Sequence, residues 1–276
     1  MMGKKIYLAL LIWFWWGIAY AQWPLVEDGL YLNPSDPSRP YTNLSLSGEL
    51  FSLVEGQLWQ YSVSGDLAFG KFRNQLGIQV PFVQSIIPGI ENFSGIGDVG
   101  VKYNYVFFER KNISNSLTNA TFSLNMTFPT GNQYLGEGVG RTMIIPGVTF
   151  AFKPADQIGI YPSIKYITSA RPTTGRWAGG FPGAIPDITG SNLSKRISAL
   201  QINSTFNLEF NETWLGLTPI LSYDFISNDY SINLRPEIGK FFNDSFLIKI
   251  NSTAYIIGQR KLLFWTQFVI GYYFDK

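Results

Sequence analysis

Two residue types are missing altogether from this 276-residue chain, cysteine and histidine. Without cysteine there is no disulfide to staple an extracellular fold and no thiolate nucleophile. Without histidine, a Ser-His-Asp arrangement, a Cys-His pair and a His-ligated metal site are all excluded. Charge is scarce too: 14% of residues, with 21 Lys and Arg against 19 Asp and Glu and a formal net charge of +2. That balance is spread along the chain, so nothing in it points to nucleic acid or another polyanion. Beyond Ile18 there is also no apolar run long enough to cross a bilayer as a helix. Yet 46% of the residues are hydrophobic and 16% aromatic, so the apolar side chains must be dispersed in short pieces.

The N-terminus carries the one continuous apolar stretch. Lys4 and Lys5 form a basic start, residues 6–18 are apolar, and Ala19-Tyr20-Ala21 places small residues where a signal peptidase reads. This pattern predicts a secretory signal peptide over residues 1–21, cut after Ala21, because the run is shorter than a spanning helix requires. Residues 22–43 follow with Pro24, Pro34, Pro37 and Pro40 and no clean period. Proline lacks the ladder donor, so this segment is expected to be extended or irregular, either as a periplasmic tail or as a plug.

From Leu44 onward the pattern changes to a period of two. In ATFSLNMTFPTG, residues 120–131, Ala120, Phe122, Leu124, Met126 and Phe128 alternate with Thr121, Ser123, Asn125 and Thr127 before Pro129 stops the run. Successive strand side chains point to opposite faces, so this is a strand with one oily and one wet face. Twelve such segments are expected: residues 44–54, 57–68, 74–83, 98–108, 120–128, 142–153, 157–168, 197–210, 213–225, 230–241, 245–257 and 261–274. Dispersed, alternating apolarity in an exported chain describes a transmembrane barrel, and an even strand number brings both ends to one side. Residues 84–97, 129–141 and 169–196 then fall on the outward side as long loops, and tight turns alternate with them. Residues 109–119 are long for a turn. Aromatic pairs at segment ends, such as Phe107 with Phe108 and Phe241 with Phe242, suit the girdles at the two membrane interfaces.

Two blocks resemble a known family. GIGDVGVKYNY at residues 95–105, and residues 122–131 with their FPTG end followed by Gly136, Gly138 and Gly140, are similar to the outer-membrane barrels of the phenol-degradation MetA-pathway family. The resemblance implies an exported channel that takes up hydrophobic or aromatic small molecules.

With the apolar face outward, Glu49, Asp66, Lys102, Lys165, Glu209, Asp224, Arg235, Glu237 and Lys249 point into the barrel. Placing Lys or Arg against lipid near the midplane would cost about 2–4 kcal/mol. These nine either pair into a structural network or face one another across an open path as a transverse field. Residues 169–196 add a candidate gate in Arg171, Arg176, Trp177 and Phe181, with a plain surface loop as the alternative.

The sequence therefore predicts an all-β fold, a transmembrane antiparallel β-barrel of about twelve strands over residues 44–276. Its expected place is the bacterial outer membrane, and its expected role is passage of small solutes. A barrel that binds partners or braces the envelope without transport is the alternative, followed by an exported soluble sandwich. No enzyme activity, cofactor or metal is expected. The expected partners are outer-membrane lipid, the small-molecule solute and the outer-membrane assembly machinery.

Overall fold

The fold was analysed in a computed structural model that describes residues 36–53, 57–86, 94–110, 117–131, 141–170, 198–226, 228–243, 245–258 and 262–274. The strands are β1 (Asn43–Leu53), β2 (Gln57–Phe69), β3 (Asn74–Ile86), β4 (Ser94–Ile96), β5 (Val99–Glu109), β6 (Leu117–Phe128) and β7 (Met143–Ala155). They continue as β8 (Ile158–Ser169), β9 (Ser198–Phe210), β10 (Thr213–Asp224), β11 (Asp229–Phe241), β12 (Phe246–Ile257) and β13 (Leu262–Tyr273). Apart from β4 and β5, which both pair with β3, each strand pairs antiparallel with its sequence neighbours, and β1 pairs with β13 from Asn43↔Tyr273 to Leu53↔Leu262. The sheet therefore has no free edge. The short β4 pairs with Phe82, Val83 and Gln84 of β3, while β5 pairs with the same strand from Asn74 to Gln79. Together β4 and β5 occupy one wall position interrupted at Gly97-Asp98, and the barrel has twelve.

Alternation sorts the wall as the period of two demands. On β9, Ile202, Phe206 and Leu208 are exposed outside while Gln201 and Asn207 are buried inside. Exposed apolar side chains of this kind occur on every long strand described, among them Leu46, Val63, Ile78, Ile164, Leu217 and Ile250. A closed wall presenting so much apolar surface is a surface for lipid, since soluble proteins do not expose contiguous apolar area on this scale. Around the end that carries the chain termini stand Phe69, Phe72, Phe107, Phe152, Tyr272 and Phe274; around the other stand Phe82, Phe128, Tyr166, Tyr223, Phe225 and Tyr230. Not every terminal aromatic joins these girdles. Phe241 points inward and packs on Trp214 and Tyr273, so only its neighbour Phe242 is outside.

The connections follow the expected asymmetry. Asp156-Gln157 and Asn211-Glu212 are two-residue turns on the terminus side, with Asn211 at φ 50°. Long connections over residues 129–142 and 170–197 leave from the opposite end. One expected loop is shorter than its sequence suggests. Residues 84–86 and 94–96 are strand, because β2 begins as early as Gln57 and gives Ile86 a partner, and because the Pro81 carbonyl accepts the Gly97 amide at 2.8 Å.

The two motif blocks meet at this point. The Thr130 hydroxyl donates to the Gly97 carbonyl at 2.9 Å and accepts the Val99 amide at 2.9 Å, while the Gly131 amide donates to the Asp98 carboxylate at 3.0 Å. The FPTG end thus clips the break between β4 and β5.

Candidate functional site

Register places all nine charged candidates on the inward face. The neighbour-to-neighbour pairs Glu49↔Gln60, Gly77↔Lys102, Lys165↔Gln201, Thr218↔Arg235, Glu237↔Asn251 and Gly239↔Lys249 run through the inner row of the barrel. Among the described residues, they are not joined into one network of direct ion pairs. They divide into separate groups, each shaped by an inward glycine or a large ring.

Asp66 and Lys102 lie on strands separated by β3, and Gly77 stands in register with both. With no side chain at Gly77, the Lys102 ammonium reaches the Asp66 carboxylate at 2.8 Å, and the Asn43 amide joins it at 3.0 Å. A second group sits nearer the terminus end of β11. There Glu237 accepts the Trp214 indole N–H at 2.9 Å and pairs with Lys249 at 3.5 Å. The Trp214 ring lies flat over Gly239, whose missing Cβ makes the room. In a third group Glu209 accepts the Tyr161 hydroxyl at 3.4 Å and pairs with Lys153 at 3.7 Å. Among the described residues, Glu49 is buried without a cation. Its carboxylate accepts Trp265 Nε1 at 3.1 Å and Gln267 Nε2 at 3.3 Å, beside the apolar cluster of Phe51, Leu58, Val83 and Trp265. Asp224 serves its strand end, where Oδ1 accepts the Ile226 amide at 2.8 Å and shapes the following turn.

Of the nine candidates, Lys165 and Arg235 remain, and Arg235 feels the opposite charge of Glu237 two residues along β11. Lys165 makes no ion pair among the described residues and feels the like charge of Arg235. Its stem lies over Gly147, where a Cβ would come within 2.8 Å of Lys165 Cγ.

The end that carries the termini holds a further element. Residues 36–42 run into that mouth: the Gln75 side chain donates to the Tyr41 carbonyl at 2.9 Å, and the Thr121 hydroxyl donates to the Ser38 carbonyl. Asp36 is 2% exposed and pairs with Arg39 at 3.5 Å. Burial holds its carboxyl above the usual carboxylate range, against the opposing pull of the Ser38 donors, Arg39 and Lys153. Residues 22–35 of the Pro-rich segment lie outside the described residues. So do the gate candidates Arg171, Arg176, Trp177 and Phe181.

No protein-family model and no curated protein matches the chain by sequence. Solved structures do match. The COG4313 outer membrane channel from Pseudomonas putida F1 superposes with a TM-score of 0.66 at 13% identity, covering 91% of this chain and 100% of that one. The NanC porin gives 0.55 at 11% identity, over 84% and 100% of the two chains. The KdgM porin gives 0.52 at 9%, over 84% and 99%. The chain folds as an outer-membrane β-barrel. Likeness at these identities carries the architecture, and the interior groups above belong to this barrel's own sequence.

Several interior participants were not singled out in the sequence, Asn43 and Gln267 among them. Lys153, Asp36, Arg39 and Trp214 each complete a group. Lys153 shares the inward parity of Thr149 and Ala151, a signal that was present but is weak at a strand end. Asp36 and Arg39 sit in a segment with no period at all, so pattern alone had no means of placing them.

Proposed function

We propose that this chain is exported and works as a channel of the bacterial outer membrane, passing small solutes through the barrel interior. The observation that carries the reading is the combination of an apolar outer wall with an inner row of charged and amide side chains. Such an interior offers a hydrated path that lipid does not. Hydrophobic or aromatic solutes fit the proposal through the resemblance at residues 95–105 and 122–131 to the MetA-pathway barrels. They also fit through the rings inside the barrel, Phe51 with Trp265 near one end and Trp214 with Phe241 near the other. Insertion would depend on the outer-membrane assembly machinery.

A second reading is a barrel that does not transport. It is favoured by the bulk of Trp265, Tyr161 and Trp214 inside and by the seating of residues 36–42 in the mouth. Planar-bilayer conductance of the chain beginning at Gln22, repeated on one beginning at Leu44, separates the two. Discrete openings from either chain support a channel, and openings seen only after truncation assign residues 22–43 as its stopper. Silence from both favours the second reading.

A further inference from the structure

The turn that joins β2 to β3 breaks a local rule of backbone geometry. Gly70, Lys71 and Phe72 stand in succession at φ 62°, 56° and 58°. Glycine takes this left-handed conformation freely, whereas a Lys and a bulky Phe side by side in it are strained. Strain of this kind persists where it places a side chain for use. What it places is Phe72, 46% exposed, between Lys71 and Arg73, both exposed. A second irregularity lies against it. The Arg73 carbonyl accepts the Val106 amide at 2.8 Å, so the turn rests on the end of β5. There a register shift between Val106 and Phe108 leaves Phe107 and Phe108 both exposed, where a regular strand would turn only one of them outward. Arg110, two positions beyond Phe108, is exposed as well, and its amide donates to the Thr118 carbonyl at 2.8 Å.

Lys71, Arg73 and Arg110 make no ion pair among the described residues, although Glu109 adjoins Arg110 in the chain. Glu109 stands in register with Asn119, which is buried inside the barrel. Two other turns at this end carry acids instead, Asp156 between β7 and β8 and Glu212 between β9 and β10. Lys240, the outward cation of β11, lies apart from the three, 5.6 Å over the Phe242 ring. The rim is therefore polarised, with three cations and the exposed rings of Phe69, Phe72, Phe107 and Phe108 gathered over β2, β3 and β5. These rings belong to the girdle, which sits at the level of lipid headgroups. Unanswered cations at that level face phosphate.

We propose that the β2–β3 turn and the end of β5 form a docking surface for an anionic phospholipid of the leaflet on the terminus side. Its phosphate meets Lys71, Arg73 and Arg110, the guanidinium fork matching two phosphate oxygens and the ammonium adding a point charge. Its acyl chains lie along the exposed apolar column above the turn, where Leu67 and Leu76 pair in register. The Phe rings enter the boundary between headgroup and chain, and the two backbone irregularities hold them there. A soluble acidic partner would use the cations and leave four exposed rings unexplained. The surface lies on the outer wall, so it acts whether or not the barrel conducts.

Native mass spectrometry of the folded, detergent-solubilised chain tests this with two probes of identical acyl chains, dioleoylphosphatidylglycerol and the zwitterionic dioleoylphosphatidylcholine. Retention of the anionic lipid is expected to be stronger by about fivefold or more, the worth of one cation near a charged headgroup. Lys71→Gln, Arg73→Gln and Arg110→Gln should each lower that preference, and the triple variant should abolish it. Lys240→Gln should leave it unchanged, and Phe72→Ala should weaken both lipids alike. Heat-modified gel mobility verifies that each variant is folded. Where the triple variant is not, the unaltered chain decides, because its preference should fade between about 50 mM and about 500 mM ammonium acetate as exposed charges are screened. Equal retention of the two lipids, a preference that survives the folded triple variant, or Phe72→Ala as tight as the parent overturns the proposal. So does a peptide of Asp and Glu that displaces the anionic lipid at equal concentration, which would make the surface a site for an acidic protein.

Discussion

The Trp265 indole nitrogen donates to the Glu49 carboxylate 3.1 Å away, joining β13 to β1 inside the barrel across 216 positions of sequence. This bond, with Gln267 beside it, fastens the seam where the two ends of the sheet meet. Glu49→Leu should leave the Trp265 and Gln267 donors unpaired and destabilise the barrel by about 1–3 kcal/mol. Glu49→Gln keeps an acceptor and should cost less. The midpoint of the heat-modified gel shift, compared across the three proteins, gives the ranking.

Gly239 carries the face of Trp214, and a Cβ there would collide with three atoms of the indole. Gly239→Ala is therefore expected to cost about 1–3 kcal/mol by overpacking. Gly48→Ala meets nothing nearer than Tyr61 Cδ1 at 3.8 Å and should stay within about 0.5 kcal/mol. Urea unfolding of the refolded barrel provides both values. A tolerated Gly239→Ala would show that Trp214 can leave its place without loss.

Phe206 faces outward at 46% exposure, and Ser222 faces the interior on the adjoining strand. Phe206→Arg should oppose insertion by about 2–4 kcal/mol, whereas Ser222→Arg should insert nearly as well as the parent chain. The folded fraction recovered in lipid vesicles reports the difference.

Asp36 links the seating of residues 36–42 to pH. Its carboxyl is raised above the ordinary value of 3.8 by burial, so the seated segment binds a proton more readily than the released one. Seating is then strongest below that ordinary value and weakens as pH rises through the raised one. Arg39 and Lys153 draw on the ionised form, while Tyr161 and Glu209 stand nearby. Conductance of the chain beginning at Gln22 should fall on acidification. Asp36→Asn should hold conductance low at neutral pH and flatten the response.

Thr130 makes two hydrogen bonds across the break in the wall, to Gly97 and from Val99. Thr130→Val is expected to cost about 1 kcal/mol for each bond lost. Hydrogen exchange at the Val99 amide should rise well before that at mid-strand amides such as Lys102.

How much of this was legible in advance depends on the reach of each interaction. The inward place of Lys102, Glu237 or Lys249 follows from counting by two along one strand, because parity is a local property of extended backbone. Which of them meet does not follow from it. Asp66 finds Lys102 only because Gly77 stands between them in register, and Phe241 leaves the expected girdle only because Trp214 and Tyr273 receive it inside.

The sequence by itself determined the all-β class, the twelve wall positions, the facing of each strand and the side on which the short turns lie. These rest on hydrophobic alternation and turn chemistry within a few residues. Only the tertiary structure decided the pairing of the interior charges, the clip between Thr130 and Gly97, and the seating of Asp36. Each of those depends on inter-strand register and on the volume left free by a facing residue, and a barrel sets both only when it closes.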